Sequence, residues 1–134
     1  MYSNQQLQKY LQHIDFAISE GRYGFAVALA NRCLRESYGS FIKYKLPAAL
    51  TDENPANLRR RCVLIVRWMR LYFRRQRIPF PEQRLLLMTI VTNVLVLSVL
   101  HNSAPGEDNL ADKATAAYAR ENVDVIVRFL QQFM

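Results

Sequence analysis

Residues 85–100 read LLLMTIVTNVLVLSVL, sixteen positions without a charge, a glycine or a proline. The polar residues in the run are Thr89, Thr92, Asn93 and Ser98. A membrane span needs about 20 apolar residues, so this length fits a core helix instead. A helix that is apolar nearly all round must be enclosed by other helices. Asn93, in the middle of the run, then needs a hydrogen-bond partner on a neighbouring helix or on a symmetry mate in a dimer.

Working outward, the flanks supply four amphipathic helices to enclose it. Downstream, residues 102–109 hold Pro105-Gly106 and read as a loop. Residues 112–133 then read as a last helix, with Ala116, Tyr118, Val123, Ile126, Val127, Phe129 and Leu130 as its apolar content. Upstream, Ile78-Pro79-Phe80-Pro81 is a rigid connector. Before it, residues 55–77 form a helix that Asn54 caps and Pro55 opens. Residues 24–44 form another, whose buried face draws on Phe25, Ala28, Leu29, Cys33, Tyr38 and Phe41. Gly39 is its weak point, costing about 1 kcal/mol against alanine. The first helix covers residues 4–19, with Ser3 as N-cap and Gly21 as the stop. Its apolar positions, Leu7, Tyr10, Leu11, Ile14 and Ala17 or Ile18, recur at helical spacing. The expectation is an all-α, single-domain bundle over residues 1–134, with about five helices and an apolar fourth helix at its centre.

The composition agrees. Hydrophobic residues make up 51% and charged residues 22% of the 134, which is globular rather than disordered. Four glycines and five prolines are too few for the many turns of an all-β domain. Cys33 and Cys62 have no zinc spacing and are too few for a disulfide framework. They read as buried free thiols in a reducing compartment. Residues 1–9 are polar and glutamine-rich, unlike a secretory signal. A soluble cytoplasmic chain with no membrane association is the consistent expectation.

The net charge of +7 is local. Residues 59–81 contain eight arginines and no acid, leaving the rest of the chain at −1. At helical spacing Arg59, Arg60, Arg67, Arg70, Arg74 and Arg77 share an arc about 100° wide. Leu58, Cys62, Ile65, Met69, Tyr72 and Phe73 fall opposite. Guanidinium suits bidentate phosphate contacts, and the stripe is about 27 Å long, enough to track a nucleic-acid backbone. Solvated faces usually mix signs. An unmixed one repels itself and calls for a counter-charge. RNA or DNA fits, as does an acidic partner protein, or the chain's own Glu107, Asp108 and Asp112. A plain solvated face is the remaining reading. Trp68 and Tyr72 could stack on bases, but their angles favour the core edge.

Other chemistry is sparse. His13 stands alone on the first helix. His101 ends the fourth helix, where the dipole favours positive charge, and leads into a polar loop with Asn102, Ser103, Glu107, Asp108 and Asn109. That loop reads first as a helix cap and turn. No metal spacing, glycine-rich phosphate loop or nucleophile elbow is present, so no metal or cofactor is expected.

Two segments together resemble a known superfamily. Asn31-Arg32-Cys33-Leu34-Arg35-Glu36 is similar to the A-R-x-L-L-E helix of HEPN domains, matching at Arg32, Leu34 and Glu36. Leu100-His101-Asn102 through Gly106-Glu107-Asp108-Asn109 resembles the L-R-N-x-x-G-x-x-H loop of the abortive-infection C-terminal type, matching at Asn102 and Gly106. The resemblance follows helix order through most of the chain. It implies an all-α bundle, homodimerisation, and binding of RNA or nucleotides in a toxin–antitoxin or phage-defence setting. Many such domains are metal-independent RNases whose catalytic arginine and histidine meet across the dimer. Here those positions hold His101 and Asn109 or Asp108, so the catalytic pair is degenerate.

The sequence therefore points to a non-catalytic HEPN-like module binding RNA or another polyanion through the arginine face. One alternative is a divergent metal-independent ribonuclease using His101, with Asn102 and Asn109 as further candidates. The other is an antitoxin, immunity or assembly subunit whose arginine face docks on an acidic partner.

Overall fold

Local chemistry starts and stops each helix. In a computed structural model that describes residues 2–46, 58–77 and 112–133, four helices are seen: α1 (Asn4–Ser19), α2 (Tyr23–Lys45), α3 (Leu58–Arg75) and α4 (Lys113–Gln131). The described residues contain no strand. The expected apolar central helix built on residues 85–100 lies outside the described residues, as do the Asn54-Pro55 cap and the prolines at 79 and 81.

Ser3 caps α1 as its position suggests. The Gln6 backbone N–H donates to Ser3 Oγ at 3.2 Å, and the Ser3 N–H donates to Gln6 Oε1 at 2.8 Å. Two orphan donors are thus satisfied reciprocally. At the other end Gly21 adopts φ 75°, with its N–H on the Ile18 carbonyl and the Arg22 N–H on the Ala17 carbonyl. This pair of bonds reverses the chain directly into α2. Asp112 caps α4, accepting from the Thr115 N–H at 2.8 Å. That bond holds its carboxylate pKa below the usual value.

Side chains spaced by helical turns then meet in one core. Leu7, Leu11, Ile14 and Ala17 come from α1, and Cys62, Ile65, Met69 and Phe73 from α3. Ala116, Ala119, Val123, Ile126, Val127 and Leu130 come from α4. α2 packs against all three other helices, and α1 also packs against α4. The buried face of α2 keeps the expected Cys33, Tyr38 and Phe41, and differs in the first turns, where Phe25, Ala28 and Leu29 are only partly buried. Ala26, Val27, Ala30, Cys33, Leu34, Tyr38, Phe41 and Ile42 are buried, whereas Phe25 and Leu29 are partly exposed. Small residues face inward in the first half of α2, and bulkier Phe25 and Leu29 ride at the margin. Tyr118 is exposed as well, contrary to its assignment to the apolar face of the last helix.

Polar ties reinforce these contacts. Arg120 on α4 reaches Asp15 on α1 at 3.0 Å and also meets Glu121 and Asp124. The Tyr2 hydroxyl lies 3.2 Å from Cys33 Sγ in the core. Gly39 proves to be a clearance rather than a flaw. A Cβ there would stand 2.7 Å from Nη1 of Arg61, whose guanidinium donates to the Arg35 carbonyl. In an Arg61→Ala background, Gly39→Ala should therefore raise stability by about 1 kcal/mol, its helix-propensity gain. In the native background the same change should give no gain or a loss. A double-mutant cycle by urea unfolding reads this coupling directly.

Cys33 and Cys62 are buried and free. Burial favours the neutral thiol and pushes both up to about 11 from an ordinary 9.0. The folded chain thus holds these protons more tightly than the unfolded one. Their contribution to stability is complete below pH 9 and is lost as pH rises from 9 towards 11. The urea midpoint should fall across that range, and less steeply for a Cys33→Ala, Cys62→Ala variant.

Candidate polyanion interface on the third helix

α3 is strongly amphipathic because its apolar and basic residues alternate with the helical turn. Cys62, Ile65, Met69 and Phe73 are buried against the other helices. That anchoring turns the opposite side outward, where Arg60, Arg67, Arg70, Arg74 and Arg75 are all exposed. Arg60, Arg67 and Arg74 repeat every seven residues, so they lie about 10.5 Å apart along one line. Arg59 occupies the first turn of the helix.

Two of the eight arginines behave differently from a simple stripe. Arg61 leaves the basic face and is half-buried towards α2, where burial and the neighbouring Arg35 lower its pKa. Arg77 was expected inside the helix, but α3 ends at Arg75. The Gln76 N–H bonds to the Tyr72 carbonyl and the Arg77 N–H to the Arg74 carbonyl, while Arg77 takes φ 54°. It is exposed just beyond the helix rather than on its arc.

The electrostatics set this face apart. Three arginines on other helices meet carboxylates: Arg32 with Glu36 at 3.6 Å, Arg120 with Asp15 at 3.0 Å, and Arg128 with Asp124 at 2.6 Å. Arg67, Arg70, Arg74 and Arg77 have no carboxylate partner among the described residues. Asp112, one of the acids named above as a counter-charge, is engaged as the cap of α4. Glu107 and Asp108 lie outside the described residues.

Aliphatic residues share the face. Val63 is 50% and Leu71 54% exposed, which the reading of an all-arginine surface missed. The signal was available, because Val63 falls within the arginine arc and Leu71 about 20° beyond its Arg60 edge. Trp68 and Tyr72 lie at the core edge as their angles suggest. Their rings stack on each other at 5.1 Å, and Trp68 also packs edge-on against Phe41 and Phe133. The Lys45 ammonium stands 5.5 Å from the Trp68 ring. The indole is thus packed among protein groups rather than offered to a base.

His101, Asn102 and Asn109 lie outside the described residues, together with Gly106. On the α2 segment, Leu34 is buried while Arg32 and Glu36 are exposed and paired. Among the described residues, no three His, Cys, Asp or Glu side chains gather as metal ligands would. No helix among them is long and apolar enough to cross a membrane. No protein-family model, curated protein or solved structure matches the chain.

The left-handed backbone at Arg77 costs a side-chain-bearing residue about 1 kcal/mol. Arg77→Gly should therefore stabilise the fold by about that amount while removing one positive charge. Thermal unfolding should show the midpoint rising by a few degrees.

Proposed function

We propose that this chain is a non-catalytic, HEPN-like helical module that binds RNA or another polyanion through the outward face of α3. The observation that carries the reading is the exposed set Arg67, Arg70 and Arg74, which meet no carboxylate among the described residues, while Arg32 on α2 and Arg120 and Arg128 on α4 do. Guanidinium groups along a rigid helix offer forked donors at fixed spacing. They would grip phosphates along a strand rather than read base edges, so binding would be salt-dependent and weakly sequence-specific. Packing of Trp68 against Tyr72, Phe41 and Phe133 favours phosphate contact over base stacking.

A second reading has its own observation. Val63 and Leu71 are exposed between the arginines, and protein interfaces enrich arginine beside apolar groups. An acidic amphipathic helix could pair with the guanidinium row and lay its apolar residues on this pair.

Electrophoretic retardation of a mixed RNA pool across a salt series tests the two together. RNA binding predicts retardation that weakens steeply with salt. Arg67→Glu with Arg74→Glu should lower the log–log salt slope by about 1.4 if each contacts one phosphate of a single strand. An unchanged slope rejects the arginine face as the RNA site. No retardation at low salt, with co-purification of a stoichiometric acidic protein lost in the same variant, moves the function to protein docking. Cleavage of the pool that His101→Ala abolishes would convert the module into a divergent ribonuclease.

A further inference from the structure

A second charged site lies away from the α3 arginine row. Gln6, Lys9, Tyr10 and His13 on α1 face Leu29, Arg32 and Glu36 on α2 across an open cleft of about 360 Å³. The turn at Gly21 sets this register. His13 and Leu29 are equally distant from it in sequence, as are Tyr10 and Arg32, and Gln6 and Glu36. Two helices joined by so short a turn run back along each other, so each of these pairs stands at one level. The side chains at 6, 9, 10 and 13 share one face of α1, and those at 29, 32 and 36 share one face of α2.

The charges in the cleft do not cancel. Among the described residues that line it, Glu36 is the one carboxylate, and it is paired with Arg32. It lies 3.6 Å from Arg32 Nε, while burial and then the neighbouring Glu36 carboxylate raise the pKa of the Tyr10 phenol. Lys9 and His13, one helical turn apart, have no carboxylate partner among the described residues. Lys9, His13 and Arg32 thus line one cleft together with a carboxylate that already pairs with Arg32. Leu29 and the Tyr10 ring supply apolar surface beside them.

We infer that this cleft binds a small phosphate monoester, with the phosphate held by Lys9, His13 and Arg32 and its organic group against Leu29 and Tyr10. The arrangement has the parts of a small-molecule site: apolar wall plus a few placed polar groups. Its volume is at the low end of such sites, about 300–1,000 Å³, which suits a compact ligand rather than a peptide or a duplex. Arginine and lysine supply complementary donors, a planar fork and a point charge. The site is independent of the polyanion reading of α3.

Amide chemical-shift titration of the full chain with phenyl phosphate, inorganic phosphate and phenol tests it. Phenyl phosphate should give saturable shifts centred on residues 6–13 and 29–36. It should bind more tightly than inorganic phosphate, and phenol should leave those amides unmoved. Lys9→Gln and Arg32→Gln should each weaken phenyl phosphate about tenfold, one decade per lost charged contact. Both positions are exposed, and an unchanged thermal midpoint would confirm that the fold is kept. Arg67→Glu with Arg74→Glu should leave the titration as it was. Shifts confined to α3, shifts that rise linearly without saturation, or affinities unaltered by both cleft variants would overturn the proposal. Loss of RNA retardation with the phenyl phosphate titration intact would separate the two sites.

Discussion

The α2 helix has to meet three neighbours along one length of chain. Its buried positions recur as adjacent pairs, Ala26 with Val27, Cys33 with Leu34, Ser37 with Tyr38 and Phe41 with Ile42. Two inward residues per turn make a stripe too wide for a single partner, and α1, α3 and α4 all pack on it. The early turns are lined by Gly24, Ala26 and Ala30, and the later ones by Tyr38, Phe41 and Ile42. Such breadth of contact also draws polar atoms inside. Ser37 Oγ, Tyr38 OH and Arg35 Nε are buried without a hydrogen-bond partner among the described residues. Because α2 fixes where α1 and α3 lie, it also decides which of their faces remain in water. Both charged surfaces discussed above, the row on α3 and the cleft on α1, are consequences of that placement.

Charge is sorted by helix. On α4, Asp124 lies between Arg120 and Arg128 and touches both, so positive and negative groups answer each other within one surface. On α3 there is no acid at all between residues 59 and 77. Exposed pairs of the α4 kind contribute little to stability, about 0–1 kcal/mol each. Their absence on α3 therefore costs the fold little, while the potential that remains outside the helix is considerable. Selection for stability gives no reason to keep that face free of carboxylates. An acid-free face is what the polyanion reading proposed above requires.

Much of the architecture was legible because it follows from periodicity and caps. The bounds of α1 match the expected 4–19, and its capping serine and stopping glycine act as their positions suggest. The buried and exposed sides of α3 likewise follow from the angular positions of Met69 and Arg67. What was not legible depends on tertiary partners. Phe25 and Leu29 look more hydrophobic than Ala26 and Ala30, yet small residues occupy the buried stripe of α2. Gly39 reads as a helix defect until the Arg61 guanidinium is seen beside it. The end of α3 two residues early is also a local backbone event, since nothing in Gln76-Arg77 announces a left-handed turn. The α1–α2 cleft escaped sequence reading because His13 looks isolated on its own helix. Only the register imposed by the turn at Gly21 brings Arg32 and Lys9 to the same space.

The pairing of distant chain segments carries one more consequence. The Gln131 side-chain amide donates to the Tyr2 carbonyl at 3.4 Å across 129 positions, and Arg120 meets Asp15 across 105. α1 and α2, by contrast, meet across a turn of three residues. Closing a long loop costs more chain entropy than closing a short one, so the α1–α2 hairpin can assemble locally whereas α4 must be recruited from afar. Docking of α4 against Tyr2 and α1 therefore closes a long loop, whereas the α1–α2 hairpin closes a short one. A short linker between residues 2 and 131, with the chain opened at another surface point, would turn that distant docking into a local one and keep the same contacts among α1, α2 and α4.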